Sequence, residues 1–295
     1  MKKQIKRFMT LSVMCIGVFA LTACGKIQSD TDTAQQTKNG GIVVTSVSIA
    51  EIMDKLGLEL AGVPKTSYDL PERYKNVKEV GSPMSPDMEI LADMEPEWVL
   101  SPASLQNDLK SKYEQIHVNA AFLDLESVEG MFESITDLGK LFDRQKEADA
   151  LLSQYETFMQ EYQEMHVNKD KPTVLILMGF PGSYSVATDK SYVGNLVELA
   201  GGTNVYSGES TDFISVNTED LLSKNPDIIL RTSHAMPEEA AEMFEEEFNN
   251  NDIWKNFNAV ADGKVYDLEN GLYGMSATLD YQEAVTGLGE LFYEK

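Results

Sequence analysis

Met88-Glu89-Ile90-Leu91-Ala92-Asp93-Met94-Glu95-Pro96-Glu97-Trp98-Val99-Leu100-Ser101 reads as a short helix, a proline break and an apolar strand. Thr218-Glu219-Asp220-Leu221-Leu222-Ser223-Lys224-Asn225-Pro226-Asp227-Ile228-Ile229-Leu230 runs through the same order, with Pro226 in the place of Pro96. Proline lacks the amide a helix interior needs, so each helix stops there and an apolar strand follows. A second pair keeps the same order along the chain. Asp124-Leu125-Glu126-Ser127 precedes a helix ending Leu138-Gly139-Lys140-Leu141-Phe142, and Asp267-Leu268-Glu269-Asn270 precedes one ending Leu288-Gly289-Glu290-Leu291-Phe292. The chain therefore reads as two similar halves built from parallel α/β units.

Between the halves lies 143–166, without glycine or proline. Its apolar residues Ala148, Leu151, Leu152, Tyr155, Phe158, Met159 and Tyr162 recur at three- and four-residue spacing, which predicts one amphipathic helix roughly 36 Å long. Strands are predicted at Ile42–Val44, Leu60–Val63 and Val174–Met178, and a helix from Ile49 to Leu56 opened by Ser46–Ser48. The expected fold is α/β: two Rossmann-like lobes, 41–142 and 168–295, joined by the single helix 143–167 and enclosing a cleft. One helical connection resists wide opening of such a cleft.

The N-terminus predicts an address. Lys2, Lys3, Lys6 and Arg7 lead an apolar run from Met9 to Leu21, so 1–23 reads as a signal peptide. That run is shorter than the roughly 20 residues a membrane span needs. Leu21-Thr22-Ala23-Cys24-Gly25 is a lipobox, which predicts cleavage before Cys24 and acyl chains on its sulfur, followed by a flexible tether over 24–40. The expected place is the outer face of the cell membrane. The sequence has two cysteines; Cys15 leaves with the leader and Cys24 is acylated, so no thiol remains for disulfides, metal ligation or nucleophilic catalysis. A formal net charge of −24 disfavours nucleic acid and anionic lipid as partners.

No nucleophile-elbow or phosphate-loop pattern occurs, and three histidines in unrelated contexts make no zinc site. His166 ends the long helix and is expected to be exposed; His117 is expected at a surface or strand edge. His234, in Thr232-Ser233-His234-Ala235-Met236-Pro237, follows a buried strand by a few residues, at the end where open α/β sheets bind ligands. It reads either as a ligand or as an ordinary loop or capping histidine. Met84, in Gly81-Ser82-Pro83-Met84-Ser85-Pro86-Asp87, occupies the comparable place in the first half and reads as a ligand or as an apolar lid. Taken together, a thioether and an imidazole on facing lobes suit the two axial positions of a haem iron. Ser46-Val47-Ser48 at a helix start offers backbone amides to a propionate, and Thr66 and Ser67 offer hydroxyls on the same rim.

The lipobox, the single linking helix, Gly81–Asp87 and the stretch from Thr232 through Trp254-Lys255-Asn256-Phe257 to Val265-Tyr266-Asp267-Leu268 together resemble the haem-receptor lipoproteins of Gram-positive iron-regulated surface determinant (Isd-type) systems. These lie within the wider class of cobalamin and siderophore receptors, the class III periplasmic-binding-protein-like fold. The resemblance implies that Met84 and His234 are the axial ligands of haem b and that Val47, Ser48, Thr66 and Ser67 line its propionate side. It also implies that Glu89 and Glu219, each seven residues before its repeat proline, dock on arginines of a permease. The implied protein is a monomeric, non-enzymatic receptor of an ABC importer, loaded by upstream cell-surface haem-binding proteins and served by a permease and its ATPase. A ferric-siderophore or cobalamin receptor of the same fold is the alternative, and a haem-handling enzyme a more distant one. The Tyr184 loop and Gly271–Met275 have no assigned role.

Overall fold

Ser46, Asp87, Ser127, Ser191 and Asn217 each start a helix in the same way, with a side-chain oxygen accepting from an amide two or three residues on. Each such cap satisfies a backbone donor the helix itself leaves unpaired and stabilises it by about 1 kcal/mol. The computed structural model describes residues 40–294 except Val216 and Ala235. The expected leader, Cys24 and all of the tether but Gly40 lie outside the described residues.

The first half runs β1 (Ile42–Val44), α1 (Val47–Lys55), β2 (Gly62–Val63), β3 (Lys78–Glu79), β4 (Gly81–Ser82), β5 (Ser85–Pro86), α2 (Met88–Met94), β6 (Trp98–Pro102), α3 (Gln106–Gln115), β7 (Ala120–Leu123) and α4 (Val128–Leu141). A parallel sheet orders its strands β3-β2-β1-β6-β7, and β4 and β5 form a separate antiparallel hairpin. α5 (Gln145–His166) follows. The second half runs β8 (Thr173–Phe180), β9 (Ser183–Ala187), α6 (Tyr192–Leu199), β10 (Thr203–Asn204), β11 (Phe213–Ile214), α7 (Thr218–Lys224), β12 (Ile228–Ser233), α8 (Pro237–Asn250), α9 (Asn258–Ala261), β13 (Val265–Asp267) and α10 (Tyr281–Tyr293).

The second sheet is ordered β11-β9-β8-β12-β13, with β10 also on β8. Here the expectation of purely parallel units is corrected. β10, β12 and β13 are parallel to the frame, but β8–β9 and β9–β11 pair antiparallel. The cause is local: Pro181 and Gly182, with Gly182 at φ 78°, turn the chain back in a two-residue hairpin.

The repeat is visible in backbone detail. α2 and α7 are both seven residues long, both end on a left-handed residue (Glu95, φ 45°; Asn225, φ 40°), and both lead through a proline into a central strand. The left-handed turn directs the chain off the helix and the proline prevents its resumption. β6 then pairs with β1 and β12 with β8, so the two helices occupy matching places on their sheets. In the second pair the symmetry breaks. Asp124–Ser127 runs straight into α4, whereas residues 271–280 intervene between Asp267–Asn270 and α10.

One apolar core serves both halves. Its buried residues include Ile49 and Met53 of α1, Phe132 and Ile135 of α4, Ile176 of β8 and Tyr281 and Leu288 of α10. α5 lies along this seam: Phe132 stacks on Tyr155 at 4.6 Å between ring centroids, and Tyr281 meets Phe132, Tyr155 and Phe158 at 5.4, 5.6 and 5.9 Å. α4 and α5 come close because Gly139 has no side chain; a Cβ there would sit 2.7 Å from that of Ala148. The outer faces of the two sheets carry smaller cores of their own. Among the described residues no helix is long and apolar enough to cross a membrane.

The seam also holds a carboxyl group in an altered state. Burial first, and then the Asp280 carboxylate, push Glu51 of α1 up to about 7, with Lys55 pulling the other way. A raised pKa means the fold prefers the protonated acid. Its contribution is complete below the unfolded value of 4.5 and is lost as pH rises through about 7. Glu51→Gln, which imitates the neutral acid, is expected to match wild type in melting temperature near pH 4.5. By pH 8 it should exceed wild type by on the order of a few degrees, as solvent screening allows. Melting curves of both proteins across that range check this; parallel curves would remove Glu51 as the cause.

Candidate functional site

The carboxyl ends of β1, β2 and β3 in one sheet and of β8, β12 and β13 in the other carry the loops that hold nearly every residue singled out by sequence. Val47 and Ser48 form the first turn of α1. Ser46 caps only the Ile49 amide, so the two preceding amides point out of the helix start toward whatever lies there. Both residues are half-buried. Thr66 is half-buried and Ser67 exposed; the Thr66 hydroxyl accepts from the Tyr68 amide at 3.0 Å, tightening the turn after β2. Lys65 N donates to Gly81 O at 2.8 Å, which joins that turn to the hairpin carrying Met84.

Met84 stands at the tip of the β4–β5 hairpin with 62% of its surface exposed. The hairpin is narrow because Gly81, at φ 95°, lets the chain pass where a Cβ would lie 2.8 Å from Ser85 O. An exposed thioether between two prolines serves no core and is held out to solvent. Asp87 caps α2 directly after the hairpin, accepting from the Glu89 and Ile90 amides at 3.0 Å each.

His234 is the first residue after β12, which runs to Ser233, so it sits closer to the strand end than the sequence placed it. It does not cap α8: the cap position belongs to Met236, in a left-handed conformation without a side-chain cap bond. Its amide donates to Gly179 O at 3.0 Å, and Phe180 packs on its ring at 5.2 Å. Burial lowers the imidazole pKa from its ordinary value, and the buried Nδ1 has no hydrogen-bond partner. A neutral imidazole with one nitrogen shut away offers Nε2 to a ligand, and the neutral ring is the form that binds iron. A thioether and a neutral imidazole are the pair of donors that closes a haem iron at both axial positions.

Two residues that sequence reasoning did not select tie the rims together. The Tyr68 hydroxyl donates to Asn270 Oδ1, and Asn270 Nδ2 donates to Ser233 O, next to His234. Tyr68 adjoins the predicted pair Thr66–Ser67 and Asn270 ends a repeat motif, so each was near a signal without carrying one. Glu89 and Glu219 are brought into no shared site. Each is exposed at the second position of its own short helix, α2 or α7. His117 is exposed with φ 57°. His166, expected to be exposed, is half-buried instead. Its ring lies between Tyr162 (4.2 Å) and Tyr293 (5.0 Å), and its Nδ1 is 2.8 Å from Tyr162 O. The aromatic partner from α10 explains the difference. Away from the rims, a hollow of about 630 Å³ runs along α5 past Ala150, Gln154, Thr157, Phe158 and Glu161, with Gln282 of α10 on its other side.

Residues 42–272 match the family model of periplasmic binding proteins. The high-affinity heme uptake system protein IsdE of Staphylococcus aureus strain Newman is 44% identical over 287 residues, which cover 96% of this chain and 97% of that protein. The crystal structure of S. aureus IsdE complexed with heme superposes with a TM-score of 0.83 at 44% identity, covering 87% of this chain and 100% of that one. An ABC transporter substrate-binding protein from Listeria monocytogenes EGD-e gives the same TM-score at 48% identity, covering 88% and 100%. The chain therefore belongs to the periplasmic binding protein family, alongside the Isd-type proteins.

Proposed function

We propose that this chain is the haem-binding receptor of an ABC-type importer, holding haem b between Met84 on one rim and His234 on the other. The observation that carries the reading is this pairing: a solvent-exposed thioether and a half-buried imidazole whose Nδ1 lacks a partner, each on a loop of one of two sheets that share a core. The likeness to a protein crystallised with heme, over nearly the whole chain, supports the cargo. The propionates would meet the amides of Val47 and Ser48 and the hydroxyls of Thr66 and Ser67, neutral donors suited to a carboxylate on an acidic protein. In this reading 41–142 and 168–295 act as lobes about the helix 143–167.

The arginines argue against an anionic siderophore as cargo. Arg73 pairs with Glu59 and Asp54. Arg231 makes a two-point bond to Asp267 beneath Phe244 and Phe248 and is 13% exposed. Arg144 donates to the carbonyl of Asp143 at the start of α5. Among the described residues, each arginine thus has a partner within its own half of the chain or in the residue beside it. Met/His ligation also leaves iron no open position, which suits carriage rather than oxygen chemistry or catalysis.

Delivery completes the proposal. Glu89 and Glu219 project from equivalent helices and would each engage a cationic side chain of the permease, which a cytoplasmic ATPase drives. Acylation at Cys24 would keep the monomeric receptor at the outer face of the membrane, within reach of cell-surface haem donors.

Haemin added to the mature protein is expected to give a low-spin, six-coordinate spectrum, with Met84→Ala and His234→Ala each converting it to a five-coordinate or high-spin form. Unchanged spectra in both variants would sink the ligand assignment. Combined Glu89→Ala and Glu219→Ala is expected to spare that spectrum while reducing haem-dependent growth of cells at least tenfold. Undiminished uptake would end the docking assignment.

A further inference from the structure

Leu268–Met275, a segment whose second part had no role in the sequence reading, is fastened to three consecutive residues of β12. Leu268 N donates to Arg231 O at 2.8 Å, Thr232 Oγ1 donates to Tyr273 O at 2.8 Å, and Asn270 Nδ2 donates to Ser233 O. Thr232 and Ser233 are buried, and the next residue is His234, whose own amide is held by Gly179 O. The backbone leading into the imidazole is thus pinned from both sides. On one side the anchor is the neighbouring strand; on the other, the bond nearest His234 is made by the side-chain amide of Asn270.

That amide has a second bond. Its oxygen accepts from Tyr68, which is 54% exposed and stands on the opposite rim, two residues from Thr66. A carboxamide is suited to this place because it accepts with one end and donates with the other. A carboxylate would keep the bond to the phenol but set a second acceptor against Ser233 O. Opening of the rims would break the bond to Tyr68, and the amide freed by it is the one bonded to Ser233, next to His234.

Resting on the haem reading above, we propose that Asn270 is a positioning residue for His234 and, with Tyr68, forms a latch that couples closure of the cleft to retention of haem. Asn270 touches no haem atom in this account; it acts through the His234 backbone. Tyr68 holds the amide in the orientation that does so. Loss of the latch lets the imidazole leave the iron sooner, so the effect appears in release before it appears in capture.

The test loads wild type, Tyr68→Phe, Asn270→Ala, Asn270→Asp and the Tyr68→Phe/Asn270→Ala double variant with haemin. Transfer to excess apomyoglobin is then followed by stopped-flow absorbance. Each single variant is expected to release haem faster by on the order of 3- to 10-fold, the scale of one lost hydrogen bond. The double variant should be no faster than Asn270→Ala, because the phenol has already lost its partner. Asn270→Asp and Asn270→Ala should also lose part of the low-spin band, a change that a purely structural role would not produce. If Asn270→Ala fails to fold, Tyr68→Phe and Asn270→Asp still decide the matter. Wild-type release rates, or effects that multiply in the double variant, would overturn the latch while an altered His234→Ala spectrum left the ligand reading standing. An unaltered His234→Ala spectrum would remove that reading, and the latch with it.

Discussion

Tyr281 touches Phe132 of α4 and both Tyr155 and Phe158 of α5, and on this junction of rings the geometry of the whole molecule rests. α4 completes the first half, α10 completes the second, and α5 lies against both. Aromatic pairs of this kind contribute about 0.5–1.5 kcal/mol each beyond the area they bury. Around them the halves share side chains from α1, α4, β8 and α10 in one core. A molecule hinged on loose crossovers can part its lobes without exposing apolar surface. Here, parting them would draw buried rings into water at about 25 cal/mol per Å². The rims therefore face each other at a separation set mainly by packing far from the ligand loops.

In the proposed reading, this constraint would explain how weak individual donors hold a large cargo. A thioether is a soft, modest ligand, and an imidazole whose Nδ1 lacks a hydrogen-bond acceptor is less basic than one oriented by a carboxylate. Each would bind iron loosely on a flexible support. Presented from opposite sides by a stiff frame, as proposed, they would lose little ordering entropy on binding. A carrier that must later surrender its load gains from donors that are modest singly and effective only as a pair.

Much of this was legible because the signals are local. Proline 96 and its counterpart at 226 end helices through their own covalent geometry. Asp87 caps through an oxygen placed two or three residues from the amides it binds. The spacing of Ala148, Leu151, Tyr155 and Phe158 needs only helical periodicity to be read. The antiparallel half of the second sheet escaped because Pro181-Gly182 marks a turn without specifying which edge of β8 the returning strand takes. His166 was misplaced because its second aromatic neighbour, Tyr293, lies at the far end of the chain. The bond from Tyr68 to Asn270 spans 202 residues and carries no periodicity, charge pattern or capping signature. Contacts of that separation are chosen by the completed fold, which no local rule encodes.

The two halves differ most where ligand chemistry is concentrated. Their central strands, short helices and left-handed turns match, and these parts carry stability. The β4–β5 hairpin belongs only to the first half, and it raises Met84 clear of the surface. The loop 271–280 belongs only to the second, and through Tyr273 it fastens Thr232, two residues before His234. A repeat with exact symmetry would present the same group from both sides. By inserting a different device at the carboxyl end of each sheet, the chain would, in the proposed haem reading, set sulfur against nitrogen across one cleft while leaving both supporting layers intact. In that reading the departures from symmetry, more than the symmetry, are what would make one ligand fit in one orientation.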